Sequence, residues 1–420
     1  MSKVVGIFTV AGIMVAAMPA GVAAQQANVK KGLSFDVLGD IIYDNNVLRI
    51  PDSFNLRPGE KRDDVRYSPA LSASYDRDLG RQAVFITLTG GKDFYQNNSY
   101  LNRSRFSGGA GVDYRVGVSC SGVVSGNFSS RQNGIRDFSD PSAEDPTSVD
   151  DDIGRLQNNR QVVGTYGATA NCGRPGGLTF GGSAQHTSLT NKSITRSFAD
   201  SRDNSFSGFV GLASIGRGQL QVTGSYSTIE YPNRLVGVTP TFAGDDDGLK
   251  TYRVGLNYSR PIGTRLTGSI GGSYLTAQPN GGQSSYSSPA YNVALTYTPG
   301  VRLTTSLTAS RDILASTAAG ALYKVVDSVD FIATYKLSNS ISTHADLGLD
   351  RRNFKQTFAT AEEAVPRRTE VAKFISLGAI YAPRRLYDVS FDIRQNFRTS
   401  NPSIYNYNST TVTLSLAVHI

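Results

Sequence analysis

The chain has 420 residues, of which 39% are hydrophobic and 18% are charged, and its formal net charge is +8. The basic residues are scattered and form no tract, so the composition gives no support to nucleic-acid binding. No run of 18 uninterrupted apolar residues follows residue 24, which argues against a membrane-spanning helix in that part of the sequence.

The first 24 residues have the features of a secretory signal peptide. Lys3 supplies a positive charge, an apolar stretch covers residues 4–18, and small residues precede Gln25. We expect cleavage after Ala24, which leaves residues 25–420 as one mature domain. A membrane anchor is the alternative, but the apolar run is short and rich in Ala and Gly.

After residue 30, apolar and polar residues alternate in blocks of roughly ten, and a period of two indicates β-strands. We count about eighteen strands, an even number that suits a single-chain bacterial barrel with both termini in the periplasm. The predicted strands begin near Leu33, Val65, Val84, Arg103, Val118, Gln161, Leu178, Ser205, Leu220, Thr251, Leu266, Ala290, Val301, Val325, Ile341, Val371, Tyr387 and Thr411.

Short and long connections alternate along the chain. The short ones carry Gly, Pro or Asn, which favour tight turns, as in Asp76–Gly80, Arg115–Gly117 and Arg260–Gly263. A soluble β-sandwich does not need this alternation, so we predict an all-β, transmembrane antiparallel β-barrel with short periplasmic turns and longer extracellular loops. The expected extracellular loops are 47–63, 131–158, 191–203, 231–249, 278–288 and 353–368.

The final strand supports the same prediction. Leu414, Leu416, Val418 and Ile420 fall on one face, and the apolar pattern reaches the last residue. We expect this strand to close the barrel wall.

The polar face of each strand should line the lumen, because an Arg that faces lipid at the bilayer centre costs about 2–4 kcal/mol. Two interpretations remain open for these side chains: they bind a polar ligand in a water channel, or they form ion pairs that brace the wall. The main candidates are Arg66, Arg105, Arg115, Arg253, Arg394, Asp113 and Asp392, and the same face carries Arg352, Asp330, His344, Asp346, Asp350 and Asp388.

Cys120 and Cys172 are the two cysteines of the chain. They lie on equivalent faces of the fifth and sixth strands, at a similar distance from the periplasmic turns. Since the periplasm is oxidising, we predict a disulfide between them. Two free thiols packed against lipid are the alternative.

The sequence contains no recognisable catalytic or cofactor motif. His186, His344 and His419 lie in separate strands without metal-ligand spacing, and a lone strand histidine is expected to be a polar lumen residue. Neither a nucleophile elbow nor a phosphate-binding loop occurs. We therefore predict no catalytic residues, no metal, no cofactor and no enzymatic activity.

The N-terminal third resembles the outer-membrane β-barrels encoded with bacterial exopolysaccharide synthesis, which are of the β-barrel porin type. Three segments carry the resemblance: residues 43–52 (YDNNVLRIPD), residues 78–82 (DLGRQ) and residues 100–102 (YLN). The resemblance covers about residues 33–117 and implies a role in making or exporting a surface polysaccharide, without catalytic residues.

These observations predict an outer-membrane barrel that serves polysaccharide export through a passive, hydrated channel. A general diffusion porin is the first alternative, with a constriction formed by the 131–158 loop. An outer-membrane enzyme is the second. The expected partners are outer-membrane lipid, polysaccharide with its export machinery, and the barrel-assembly machinery.

Overall fold

The computed structural model describes residues 32–53, 55–56, 58–133, 159–174, 176–192, 197, 199–214, 218–235, 246–280, 284–315, 321–357, 369–384, 386–401 and 403–420. The predicted signal peptide and residues 134–158 of the predicted constriction loop lie outside these ranges. The strands are β1 Gly32–Asp44, β2 Asp64–Leu79, β3 Gln82–Tyr95, β4 Arg103–Val116, β5 Cys120–Asn133, β6 Asn159–Gly173, β7 Leu178–Asn191, β8 Ser201–Ser214, β9 Gly218–Leu235, β10 Asp246–Ile262, β11 Leu266–Pro279, β12 Tyr286–Tyr297, β13 Leu303–Ala315, β14 Ala321–Lys336, β15 Ile341–Thr357, β16 Thr369–Arg384, β17 Tyr387–Asn401 and β18 Tyr407–His419; single turns of 3₁₀-helix cover Ser99–Leu101 and Ser403–Tyr405.

The strands form one closed sheet in which every neighbouring pair is antiparallel. β1 pairs with β2 on one side and with β18 on the other, which joins the two ends of the chain. The amide of Ile420 donates to the carbonyl of Phe35 at 2.8 Å, so the last residue takes part in the closure. The prediction of an antiparallel barrel of about eighteen strands is confirmed.

The predicted strand starts agree with the structure to within a few residues, but several turns are tighter than expected. Residues 76–79, predicted as part of a turn, continue β2, and the chain reverses at Gly80, whose φ is 74°. Gly117 and Gly263 have positive φ at equivalent places. Glycine adopts this conformation without a Cβ clash, which allows longer strands and shorter turns.

The outer face is apolar and has an aromatic residue near each end. On β2, for example, Tyr67 and Tyr75 are eight residues apart on the outer face, and on β4 Phe106 and Tyr114 have the same spacing. Eight residues of a strand tilted by about 40° rise about 20 Å along the barrel axis, which matches the apolar band of outer-membrane barrels. Among the described residues, no helix is long and apolar enough to cross a membrane.

Candidate channel lumen

The seven predicted lumen candidates all occupy inner-face positions, but the structure distributes them over the wall. Arg66 and Arg105 lie in the extracellular half, and Asp113 and Arg115 lie at the periplasmic end. The remaining three, Arg253, Arg394 and Asp392, are on β10 and β17. They do not form one binding cluster.

Arg105 is held by groups of the wall. Its Nη2 donates to the carbonyl oxygen of Ser68 at 3.1 Å, and its guanidinium lies 3.7 Å from Asp40 and 3.6 Å from Asp93. The carbonyl is free to accept because the β2–β3 pairing skips Ser68 and Pro69, and proline has no N–H for the ladder. Arg105 therefore braces an irregularity in the sheet.

Arg66 and Arg394 both lie on aromatic rings. Nη1 of Arg66 donates to the Tyr95 hydroxyl at 3.3 Å, and its guanidinium carbon is 5.9 Å from the ring centroid. Arg394 stacks 3.9 Å from the centre of the Phe374 ring, and its Nε donates to Asn396 at 3.1 Å. Both contacts orient a positive charge while leaving it on the inner surface.

Two of the three histidines belong to the lumen. His344 lies 2.6 Å from Asp392, and His419 lies 2.7 Å from Asp36 and 3.1 Å from Asp388.

The third histidine does not follow the prediction. His186 is paired with Tyr166, whose side chain is 62% exposed on the outer face, so the histidine also points outward. It lies near the extracellular end of β7, where its Nδ1 is 2.8 Å from the Asn204 side-chain oxygen. This neighbour supplies a polar partner outside the lumen, which explains why an outward histidine is tolerated.

A buried ionic network that the sequence analysis missed joins three neighbouring strands. Glu370 on β16 is fully buried between Arg352 of β15 and Arg398 of β17, and the Arg352 contact measures 3.0 Å. Arg352 also lies 3.2 Å from Asp350. Glu370 shares the inner face of β16 with Ala372 and Phe374, so alternation alone predicts that it faces the lumen. No sequence pattern predicts its pairing with Arg352 and Arg398.

The described part of the loop after β1, residues 45–53, 55–56 and 58–62, folds over the inner wall at the extracellular end. The Asn46 side chain donates to the carbonyl oxygens of Ile50 and Asn408, each at 2.9 Å, and thereby joins the loop to β18. Arg49 has a φ of 55° and a 2.6 Å ion pair with Asp44. Its guanidinium faces the inward ring of Tyr407.

An apolar cluster holds the same loop against β3. Its buried members are Val47, Leu48, Ile50, Tyr95 and Leu101. Tyr95 is an inner-face residue, so the loop covers part of the lumen wall.

The wall is also interrupted between β12 and β13. Their pairing runs from Tyr297↔Thr305 to Asn292↔Ser310 and goes no further, although both strands continue toward the extracellular side. Pro289 lies in the part of β12 that pairs with β11 but not with β13, and proline is confined to edges and bulges of sheets. β12 therefore has a free edge in its extracellular half.

Beyond this point the described extracellular ends of β13 and β14 lie inside the barrel. Ile313, Tyr323 and Val325 have outer-face parity on β13 and β14, yet they are buried in one cluster with inner-face residues of β10–β12. Only an inward displacement of the hairpin brings the outer side of one strand pair against the inner side of another. The inner-face members of the cluster are Leu249, Leu275, Ala277 and Ala290.

An ion pair between strands that are not neighbours holds the hairpin in this position. Arg253 of β10 contacts Asp312 of β13 through a hydrogen-bonded salt bridge. Tyr286 of β12 stacks on Tyr323, with ring centroids 5.7 Å apart. We call this arrangement, residues 312–315 and 321–326 with the Arg253–Asp312 pair, the inward hairpin.

Cys120 and Cys172 are directly opposed on β5 and β6 and are joined by a disulfide, with their Cα atoms 4.1 Å apart. The bridge lies on the outer face near the periplasmic ends of the strands. No group of three or more His, Cys, Asp or Glu side chains arranged to hold a metal occurs among the described residues. The described lumen thus offers fixed charges, amides and hydroxyls to a solute.

A closed barrel with an apolar belt and a charged inner wall defines an outer-membrane barrel of the porin type. The sequence family described as "Putative beta-barrel porin 2" matches residues 40–420. The chain belongs to this family, and its location is the outer membrane. The match extends far beyond the N-terminal third that carried the resemblance.

Solved outer-membrane proteins are similar to this chain at low identity. The FrpB iron transporter from Neisseria meningitidis is 12% identical over 89% of this chain and 63% of its own, with a TM-score of 0.51. OccK2 (OpdF) from Pseudomonas aeruginosa is 12% identical over 92% and 98% of the two chains, with a TM-score of 0.48. The siderophore receptor PirA from Acinetobacter baumannii is 8% identical over 93% and 81%, with a TM-score of 0.48. No curated protein matches the sequence.

Proposed function

We propose that this protein is a passive diffusion channel for small polar solutes. One observation carries the proposal: charged and hydroxyl-bearing side chains line the inner face of a closed barrel whose outer face is apolar. Serine and threonine hydroxyls pair across the inner wall, as in Ser183–Ser207 at 2.8 Å and Ser72–Thr89 at 3.0 Å. Such a surface hydrogen-bonds weakly and reversibly, which suits passage better than tight binding.

Two inward segments would set the width of this channel. The first is the described part of the loop after β1, and the second is the inward hairpin. The constriction expected from the 131–158 loop concerns residues that lie mostly outside the described ranges, so the proposal rests on the other two. The channel would act without a catalytic step, because solute moves down its own gradient.

A narrower role in polysaccharide export has less support. It rests on the N-terminal motifs, and in the structure the residues 43–52 fold the first loop onto the wall through Asp44, Asn46 and Arg49. The family match covers nearly the whole chain and describes a porin. Polysaccharide and its export machinery therefore remain partners of this narrower proposal.

Planar-bilayer recording tests the channel directly. Protein purified from outer membranes should give discrete conductance steps, and liposomes that contain it should swell in small sugars or organic anions. A folded barrel without conductance or swelling would contradict the diffusion channel. Loss of surface polysaccharide on gene deletion, together with absent conductance, would favour the export role instead.

The four inner arginines provide a second test. Replacing Arg66, Arg105, Arg253 and Arg394 by Gln together should change the anion-to-cation selectivity, because four fixed positive charges leave the wall. An unchanged selectivity in a barrel that still assembles would assign these residues to bracing alone. Arg115→Gln removes one inner-face arginine at the exposed periplasmic end. It is the single-residue comparison for the measurement of ion selectivity.

A further inference from the structure

Three basic side chains lie on the outer face of neighbouring strands. Arg311 on β13 is directly opposite Asp327 on β14, and Asp327 is directly opposite Arg351 on β15. Lys373 lies on the same face of β16, where its partner on β15 is Leu349, two residues from Arg351. Directly paired residues of a sheet point to the same face, so these side chains form one row on the outside of the barrel.

This row lies at the height of the extracellular aromatic residues. Asn292 is paired with Ser310, which puts Tyr291 at the level of Arg311. The Tyr291 hydroxyl is 3.5 Å from Asp327. Tyrosine at this place marks the boundary between the acyl chains and the headgroups, so the basic row faces the headgroup layer of the outer leaflet.

The row carries more positive than negative charge. Arg311 is held by Asp327 through Nε at 2.6 Å and Nη2 at 2.9 Å. Arg351 and Lys373 are exposed, and neither has a hydrogen-bond or ion-pair partner within the part of the chain that the structure describes. Two cations that face the membrane interface are therefore uncompensated by the protein.

We propose that this outer cationic site, formed by Arg311, Arg351 and Lys373, binds a phosphate of a lipid headgroup in the outer leaflet. Strands are about 4.8 Å apart, so Arg351 and Lys373 are near neighbours and Arg311 is about 10 Å from Arg351 at the Cα atoms. Long side chains bridge such distances. Arginine presents a planar fork that matches phosphate, and Asp327 binds Nε and Nη2 of Arg311 but not Nη1.

The site also lies beside the free edge of β12. A lipid bound there would cover the interrupted wall between β12 and β13 from the outside. The proposal is independent of solute passage, because none of the three side chains lines the lumen.

Native mass spectrometry of the full barrel tests the site. The variant R351Q/K373Q is compared with the wild type and with K92Q/K250Q, which removes two other outward-facing, exposed lysines of the extracellular halves of β3 and β10. Each protein is titrated in phosphatidylcholine nanodiscs with phosphorylated lipid A and with the same lipid after removal of its phosphates.

We expect R351Q/K373Q to bind phosphorylated lipid A about tenfold more weakly, because charge-assisted hydrogen bonds are lost. The K92Q/K250Q variant should bind as the wild type does, and the dephosphorylated lipid should bind weakly to all three. Equal affinity of the two double variants, or equal binding of both lipids, would overturn the proposal. Single-channel conductance should be the same in all three proteins.

Discussion

Glu370 shows what a single buried residue does in this wall. Its carboxylate is fully buried between the guanidinium groups of Arg352 and Arg398. Placing charges in such a site is unfavourable unless each one has a partner, so the three residues stabilise one another only as a set.

Glu370→Gln should lower the free energy of unfolding by about 3–5 kcal/mol, because it removes the negative charge that lies between two buried guanidinium groups, although Arg352 keeps its contact with Asp350. The measurement is the temperature at which the folded band disappears on a detergent gel. Glu230→Gln is the control, since Glu230 is exposed and lies opposite Arg202 on the outer face. Exposed pairs contribute about 0–1 kcal/mol, so a control that melts as early as Glu370→Gln would contradict this account.

The disulfide gives a second residue-scale prediction. Cys120 and Cys172 are 52 residues apart in sequence, and closing a loop of that size stabilises the folded state by about 2–4 kcal/mol. C120S/C172S should therefore unfold at lower denaturant concentration. Alkylation and mass spectrometry of non-reduced protein check the bridge itself, and two modifiable thiols in membrane-derived material would refute it.

At the scale of elements, the first loop depends on one amide side chain. Asn46→Ala removes the hydrogen bonds to Ile50 and Asn408, at a cost of about 1–3 kcal/mol for the groups left unpaired. We expect proteases to cut residues 45–62 of this variant faster than in the wild type. Asn55→Ala, at an exposed position of the same loop, should leave the cleavage rate unchanged.

The inward hairpin depends on the pair Arg253–Asp312. Arg253→Gln should weaken its attachment by about 1 kcal/mol, which raises the population of the released hairpin about fivefold. Released hairpins should appear as larger conductance and stronger open-channel noise in planar bilayers.

Two variants serve as comparisons for the hairpin. Arg260→Gln changes an exposed arginine at the periplasmic end of the same strand and should conduct as the wild type does. The charge exchange R253D/D312R restores an ion pair and should reduce the noise. If the exchange is as noisy as Arg253→Gln, the pair does not hold the hairpin.

At the scale of the whole molecule, closure between β1 and β18 is the feature on which the barrel depends. Deleting residues 417–420 removes the pairing of β18 with residues 35–38 and leaves that of residues 411–416 with 39–44. We expect a weaker heat-modifiable band and less protein in the outer membrane, because the periplasmic ends of β1 and β18 become free edges that favour aggregation and degradation. Ile420→Phe keeps the backbone pairing and should assemble normally, as seen by the shift between unheated and boiled samples.

The strands, their faces and the alternation of turns and loops follow from the sequence, because they depend on neighbours two residues apart. Parity with Leu33 or Tyr67 places a residue outside, and Gly80 allows the turn that ends β2. The same parity places Arg66 and Arg394 inside. The same parity places His186 on the outer face, together with Phe180. Residue type alone had suggested that this histidine faces the lumen.

The tertiary structure decided everything that depends on contacts between distant strands. Arg253 and Asp312 are 59 residues apart and lie on strands that are not neighbours, so no local pattern predicts their pairing. The end of the β12–β13 ladder and the burial of Ile313 both follow from the inward position of the hairpin. There, β13 loses backbone pairing with β12, and Ile313 packs against apolar side chains of β10–β12. Alternation determines which way a side chain points from its own strand, while the path of that strand through the barrel determines what the side chain meets.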